Sequence, residues 1–304
     1  MSRWRFGSRP LWKRLIVALG LTGLVGAIVL AGLIVRLSIQ ASINSLSPPQ
    51  IPADQTPSQY GIIQYEEVSI ITDDGVRIAG WYIPPSADNQ MVILMAHGYA
   101  HNRAMLLPEA EILSQQGYGA LLFDFRGHGD SDSAQVTFGD QEQRDLTAAI
   151  DYVGSRPEVA RIGAIGFSMG AAVVAEVAAE DSRLVAVVIE AAFPSLEQEI
   201  FYRANAFWLL SQVPAALVIR GSGVDVTGVR PIDKLCSISP RKVLLVYGAN
   251  DQDVPPGTID AMSENLCENG EAWIIPDAGH RNFTIDAPEE YSIRLTDFFD
   301  ISNR

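Results

Sequence analysis

Apolar and polar positions are arranged in three different ways along this chain, and each arrangement predicts a different element. The first is an unbroken block. Residues 15–35, LIVALGLTGLVGAIVLAGLIV, run for 21 positions without a charge and with Thr22 as the one polar side chain. A helix rising about 1.5 Å per residue crosses a hydrocarbon core of about 30 Å over that length. A cleaved signal sequence would carry an apolar region of roughly 7–15 residues followed by small residues at the cut. Here Arg36 follows the block, and Ser38-Ile39-Gln40-Ala41 offers no such site. The block therefore reads as an uncleaved transmembrane anchor over 15–35. Behind it, SPPQIPADQTPSQYG holds four prolines and reads as an extended spacer, assigned to 36–61.

The second arrangement is strand-like pairing around a turn. YEEVSIITDDGVRIAGWYIP places Asp74-Gly75 between two β-rich segments, which predicts a hairpin. The third is a series of short, continuous apolar runs separated by helical segments. MVILMAHG, GALLFD, ARIGAIGF, LVAVVIEAAF, KVLLVYG and AWIIPDAGH read as strands; helices are predicted at 103–116, 139–155 (stopped by Pro157), 169–180, between the last two strands, and at 288–299. A hairpin followed by buried strands alternating with helices predicts one α/β domain over 62–304, a mostly parallel, doubly wound sheet covered on both faces. In such sheets, ligands gather at the carboxyl ends of the strands.

Charge sharpens this division. Residues 1–36 carry Arg3, Arg5, Arg9, Lys13, Arg14 and Arg36 and no acid. The remaining 16 basic residues face all 36 acidic ones, a net of −20. So acidic a body argues against nucleic-acid binding. The five positive residues before the block hold the N-terminus (1–14) in the cytoplasm by the positive-inside rule, and the expected topology is a single-pass protein with its body outside.

The strand ends carry the chemistry. Ser168 sits in GFSMG between a strand and a helix, the context in which a tight turn exposes a nucleophile at the sheet edge. A serine nucleophile needs a base, and the base an orienting acid. Of His97, His101, His128 and His280, His280 follows the last strand in PDAGHRNF and is the candidate base. His97, in HG after the first parallel strand, is placed to shape an oxyanion loop. His101 and His128 lie on the same rim, either as substrate contacts or as hydrogen-bonded structural residues. The acid comes from YGANDQDVP, where Asp251 is favoured and Asp253 is the alternative.

With HGYAHN, DFRGHGDS, GFSMG, YGANDQDVP and AGHRNF in this order, the chain from residue 65 onward resembles the α/β-hydrolase fold serine hydrolases. It is similar to membrane-anchored bacterial members related to the dienelactone-hydrolase and serine-aminopeptidase-like groups. The resemblance implies a triad of Ser168, Asp251 and His280, and an oxyanion hole made by the backbone amides of Tyr99 and Met169. It also implies a lid over the site, inserted at about 194–240, from which Phe207 and Trp208, with His101 on the rim, are candidate pocket residues. The implied reaction is cleavage of a small-molecule ester, thioester or amide. A peptidase or acyltransferase of the same fold, and a non-catalytic binding protein, are the alternatives. No metal-ligand spacing, Walker loop or dinucleotide fingerprint occurs, so no metal and no cofactor is expected. Cys236 and Cys267 flank the penultimate strand and its helix at the sheet's far edge, where a disulfide and two free thiols are both open.

Overall fold

A computed structural model describes residues 10–300. It begins with α1 (Leu11–Ser45), followed by a hairpin of β1 (Glu66–Ile71) and β2 (Arg77–Ile83). The body then alternates through β3 (Met91–Ala96), α2 (Leu107–Ser114), β4 (Gly119–Phe123), α3 (Glu142–Gly154), β5 (Arg161–Phe167), α4 (Met169–Glu180) and β6 (Leu184–Glu190). Two helices, α5 (Leu196–Arg203) and α6 (Leu209–Gly221), precede α7 (Pro231–Ile238). The chain closes with β7 (Lys242–Gly248), α8 (Thr258–Glu264), β8 (Gly270–Ile275), α9 (Phe283–Asp286) and α10 (Pro288–Phe299).

The eight strands form one sheet in the order β1-β2-β4-β3-β5-β6-β7-β8; the first two pairings are antiparallel and the rest parallel. Position in the sheet explains the hydropathy pattern. Every residue of β3 and β4 is buried, because helices cover both faces of the central strands. Edge strands β1 and β8 instead mix exposed and buried positions. Registers such as Ala96 opposite Gly166, Phe167 opposite Glu190 and Gly248 opposite Ile275 bring the carboxyl ends of β3, β5, β6, β7 and β8 to one edge.

Three sequence boundaries change. The apolar helix does not end at Val35; it continues through Ser45, so 36–45 is helix rather than extended spacer. No proline occurs between Pro10 and Pro48 to stop it. Among the described residues it is the one helix long and apolar enough to cross a membrane, with a mean hydropathy of 2.4 over its most apolar 18 residues. Arg3, Arg5 and Arg9 lie outside the described residues. Within the 194–240 segment, α7 packs on α4 as a flanking helix of the sheet, whereas α5 and α6 stand over the strand ends and α6 packs against α1. The predicted helix at 103–116 is a short 3-10 turn, Arg103–Leu106, leading into α2.

Cys236 of α7 and Cys267 beyond α8 are joined by a disulfide, with Cα atoms 4.9 Å apart. Of the two states left open by the sequence, the bonded one is present. It ties the elements on either side of β7 together, at the opposite end of the sheet from Ser168.

Candidate active site

Ser168 is the single residue between β5 and α4, and its backbone is strained: φ is 52° and ψ is −112°, a region L-residues avoid. The neighbours explain how the turn is possible. A Cβ on Gly166 would lie 2.4 Å from the Gly170 carbonyl oxygen, and one on Gly170 would lie 2.1 Å from that of Ala96. Only glycine permits α4 to start this close to β3 and β5. The Ser168 amide donates to the Glu190 carbonyl at 2.8 Å, pinning the turn to β6.

His280 reaches Ser168 from the loop after β8. That loop is held against the end of β7, where the Asn250 amide donates to the Ala278 carbonyl at 2.9 Å. His280 Nε2 lies 3.1 Å from Ser168 Oγ, and Nδ1 lies 2.8 Å from Asp251 Oδ2. The Asp251 side chain is completely buried, and its other oxygen accepts the Asp253 amide at 2.8 Å. Asp253, by contrast, lines the cavity beside Ser168 and pairs with Arg203 of α5 at 3.0 Å. The imidazole also packs edge-on against Phe167, with ring centroids 5.1 Å apart. The geometry thus selects Asp251 over Asp253 as the partner of His280.

The loop after β3 presents Tyr99, and the first turn of α4 presents Met169. No hydrogen bond from either amide to another group is found among the described residues. The loop is held open by two histidines whose tautomers follow from their partners. His97 Nε2 accepts the Phe125 amide at 3.0 Å, so its proton is on Nδ1, donated to the Gly98 carbonyl at 2.7 Å. His128 Nε2 accepts the Ala100 amide at 3.1 Å, and its Nδ1–H is donated to the Arg126 carbonyl. A ring nitrogen that accepts an amide hydrogen carries no proton, so both rings are neutral, and burial lowers both pKa values in the same sense. His128 is accordingly a support for the loop and not a substrate contact.

The other charges of the DFRGHGD segment are all paired. Arg103 pairs with buried Asp124 and with Asp130. Arg126 pairs with buried Asp145 at 2.8 Å and with Asp74 at 2.8 Å. Buried charges of this kind persist because each is paired and hydrogen-bonded.

Above Ser168 lies a cavity of about 710 Å³, partly covered by α5 and α6. His101 and Phe207 line it, as does Ser168 itself. Trp208 does not: it follows Phe207 at the start of α6, turns outward and is 69% exposed. His101 is neutral, its pKa pushed down to about 4 by burial and by Arg281, whose guanidinium donates to Nε2 at 3.2 Å. Three sets of residues escaped the sequence reading: Arg281, the α1 residues that line the cavity, and the buried carboxylates Glu109 and Glu190. The last two line a neighbouring cavity of about 280 Å³. A carboxylate inside a strand or helix pattern carries no sequence signal of its own, whereas Arg281 could have been suspected from its place beside His280.

Known proteins place the fold. A sequence profile for the family described as "Serine aminopeptidase, S33" matches residues 87–226. The esterase Pf2001 of Pyrococcus furiosus is similar in structure, with a TM-score of 0.71 and 29% identity, over 84% of this chain and 97% of that one. The chain is a hydrolase of the α/β-hydrolase fold. Among curated relatives, the uncharacterised Escherichia coli K12 protein YfhR is 28% identical to the hydrolase over 242 residues, covering 77% of this chain and 80% of that one. The uncharacterised Bacillus subtilis protein YqkD is 23% identical over 284 residues, 85% of this chain and 90% of that one. The profile match ends at residue 226 and so contains Tyr99, Ser168 and Met169 of the hydrolase, while Asp251 and His280 lie beyond it.

Proposed function

We propose that the protein is a membrane-anchored serine hydrolase that cleaves carboxylic esters or thioesters, with Ser168 as nucleophile, His280 as base and Asp251 as orienting acid. The observation that carries this reading is the continuous chain from Ser168 Oγ to His280 to buried Asp251, at 3.1 and 2.8 Å, on a strained turn. Such strain persists only where the surrounding packing over-determines it, as the glycine contacts do here.

The chemistry follows from positions. His280 Nε2 takes the Ser168 proton as Oγ attacks the substrate carbonyl carbon. Asp251 keeps the second imidazole proton on Nδ1 and stabilises the imidazolium. The developing oxyanion is received by the Tyr99 amide of the loop after β3 and the Met169 amide at the start of α4, each donor contributing about 3 kcal/mol to the transition state. His280 then protonates the leaving alcohol or thiol, and afterwards activates water to release the acid. Esters fit this site with no further assumption, and the Pyrococcus furiosus neighbour being an esterase supports that choice. A peptidase would need a charged acidic group for the substrate amine. The two acidic side chains that line the cavity over Ser168, Glu199 and Asp253, are both paired with Arg203, at 2.7 and 3.0 Å.

α1 supplies the anchor, and Lys13 and Arg14 at its start support a cytoplasmic N-terminus with the body on the far side. The test is labelling of the full chain by a fluorophosphonate probe, wild type beside Ser168→Ala and His280→Ala, together with hydrolysis of 4-nitrophenyl butyrate. Labelling confined to Ser168 and dependent on His280 is the expected result. A folded wild type that neither labels nor hydrolyses the ester would overturn the reading in favour of a binding protein.

A further inference from the structure

The cavity over Ser168 has a wall that belongs to neither the sheet nor the lid. Ile34, Leu37, Ser38, Ser42 and Ser45 of α1 line it, facing α5 and α6. Ala31, Ile34, Val35, Ser38, Ser42 and Ser45 are the partly or fully buried positions of α1, spaced by one, three or four residues, so one stripe of the helix packs on the body. The remainder of the apolar block is open: residues 15–30 are exposed throughout. The end of α1 is also tied to the chemistry, because the Tyr99 hydroxyl donates to the Ser45 carbonyl at 3.0 Å.

Length then sets the level of this wall relative to a bilayer. A core of about 30 Å takes about 20 helical residues. Counted from the first residue of the uncharged block, that length runs out near Ile34, where the cavity lining begins. The outer side of the lid continues the same surface. Trp208, Leu209 and Leu217 are 69%, 49% and 66% exposed, on and beside a helix that packs against α1. Tryptophan at the margin of an apolar surface suits the interface between headgroups and hydrocarbon, and exposed apolar surface continuous with a membrane span is shielded from water there. Cavity, lid face and span therefore meet at one level.

We propose that the cavity receives one long acyl chain directly from the membrane leaflet, with α1 as the wall of the acyl channel, so that the substrates are long-chain acyl esters resident in the bilayer. This rests on the serine-hydrolase reading and adds the substrate class and its route. The chain runs along Ile34, Leu37 and Ser38 of α1, and its carbonyl arrives at Ser168. The cavity volume of about 710 Å³ falls in the range that holds a single elongated ligand.

The experiment uses the full chain in phosphatidylcholine nanodiscs, with 4-nitrophenyl butyrate and 4-nitrophenyl palmitate as probes and fluorophosphonate labelling as the check on an intact site. The wild type is expected to prefer the palmitate ester in kcat/KM. Ser38→Phe, which fills the α1 side of the channel, lowers the palmitate-to-butyrate ratio by about tenfold or more. Ile34→Phe, which narrows the channel one turn earlier, lowers the ratio likewise and, by the same twofold limit, decides the matter should Ser38→Phe fail to label. A wild type that labels and hydrolyses butyrate but prefers it to palmitate overturns this inference and leaves the serine-hydrolase reading standing. So does a ratio that moves less than about twofold in a labelled Ser38→Phe protein. Absence of both labelling and hydrolysis in the folded wild type overturns both.

Discussion

Replacing Asp251 by asparagine tests the proposed triad more sharply than replacing Ser168, because shape is kept and only the proton pattern changes. Asp251 accepts two hydrogen bonds, from His280 Nδ1 through Oδ2 and from the Asp253 amide through Oδ1, each at 2.8 Å. An asparagine has one acceptor oxygen. The Asp253 amide is a fixed donor, so the oxygen turns to it and the NH2 group faces His280. Nδ1 must then present its lone pair, which moves the ring proton to Nε2. A protonated Nε2 cannot accept the Ser168 proton, and the negative charge that stabilises the imidazolium is gone as well. A change of this kind costs about 10⁴-fold in kcat in the serine-protease template, equivalent to about 5.5 kcal/mol of barrier. Asp253→Asn breaks only an exposed pair with Arg203 and is expected to cost less than about fivefold. The assay is steady-state hydrolysis of 4-nitrophenyl butyrate together with the rate of fluorophosphonate labelling, on variants whose thermal midpoints match the wild type. Activity of Asp251→Asn within about tenfold of wild type, or a more damaging Asp253→Asn, would refute the role proposed for Asp251.

Three further outcomes follow from the packing. Gly170→Ala drives a methyl group to 2.1 Å from the Ala96 carbonyl and 2.6 Å from that of His97; backbone cannot yield as a side chain can, so a loss of about 3 kcal/mol or more and loss of labelling are expected in denaturant titration and probe assays. The Cys236–Cys267 disulfide closes a loop 31 residues long, worth about 3–4 kcal/mol, so reductant is expected to lower the thermal midpoint by roughly 10 °C and to leave a Cys236→Ser, Cys267→Ser protein unaffected. Burial, and for Glu190 also the charge of Glu109, raises both carboxyl pKa values, to about 7 and about 8. The folded state then holds protons that the unfolded state has lost, so their contribution to stability is complete below about pH 4.5 and is lost as pH rises through the folded values. Thermal midpoints measured from pH 6 to pH 9 should fall, and Glu109→Gln should flatten that slope; an equally steep slope in the variant would count against the assignment.

Much of this molecule was legible in one dimension. The central strands announced themselves as continuous apolar runs because both of their faces are buried. GFSMG could be read as a turn because Gly166 answers to the backbone of Gly170 in the same turn, whereas the contact that demands Gly170 is with Ala96, distant in sequence. The α/β class follows from such local patterns, and the similarity to known α/β-hydrolases agrees with it. What stayed open were matters of direction: whether Asp251 or Asp253 turns inward, whether Trp208 lines the cavity, and whether the two cysteines meet. Each depends on the path of a loop or a helix terminus, where side-chain orientation is set by distant partners such as Ala278, Arg203 and the strand beside α7.

The sequence by itself determined the apolar block, the alternation of strands and helices, and the order of the chemical residues, because hydropathy and turn chemistry act over a few neighbouring positions. Only the tertiary structure decided that α1 runs on to Ser45 and becomes a wall of the cavity over Ser168, and that His97 and His128 stand as neutral supports behind the loop. Those outcomes come from contacts between segments tens of residues apart, and such contacts leave no period along the chain.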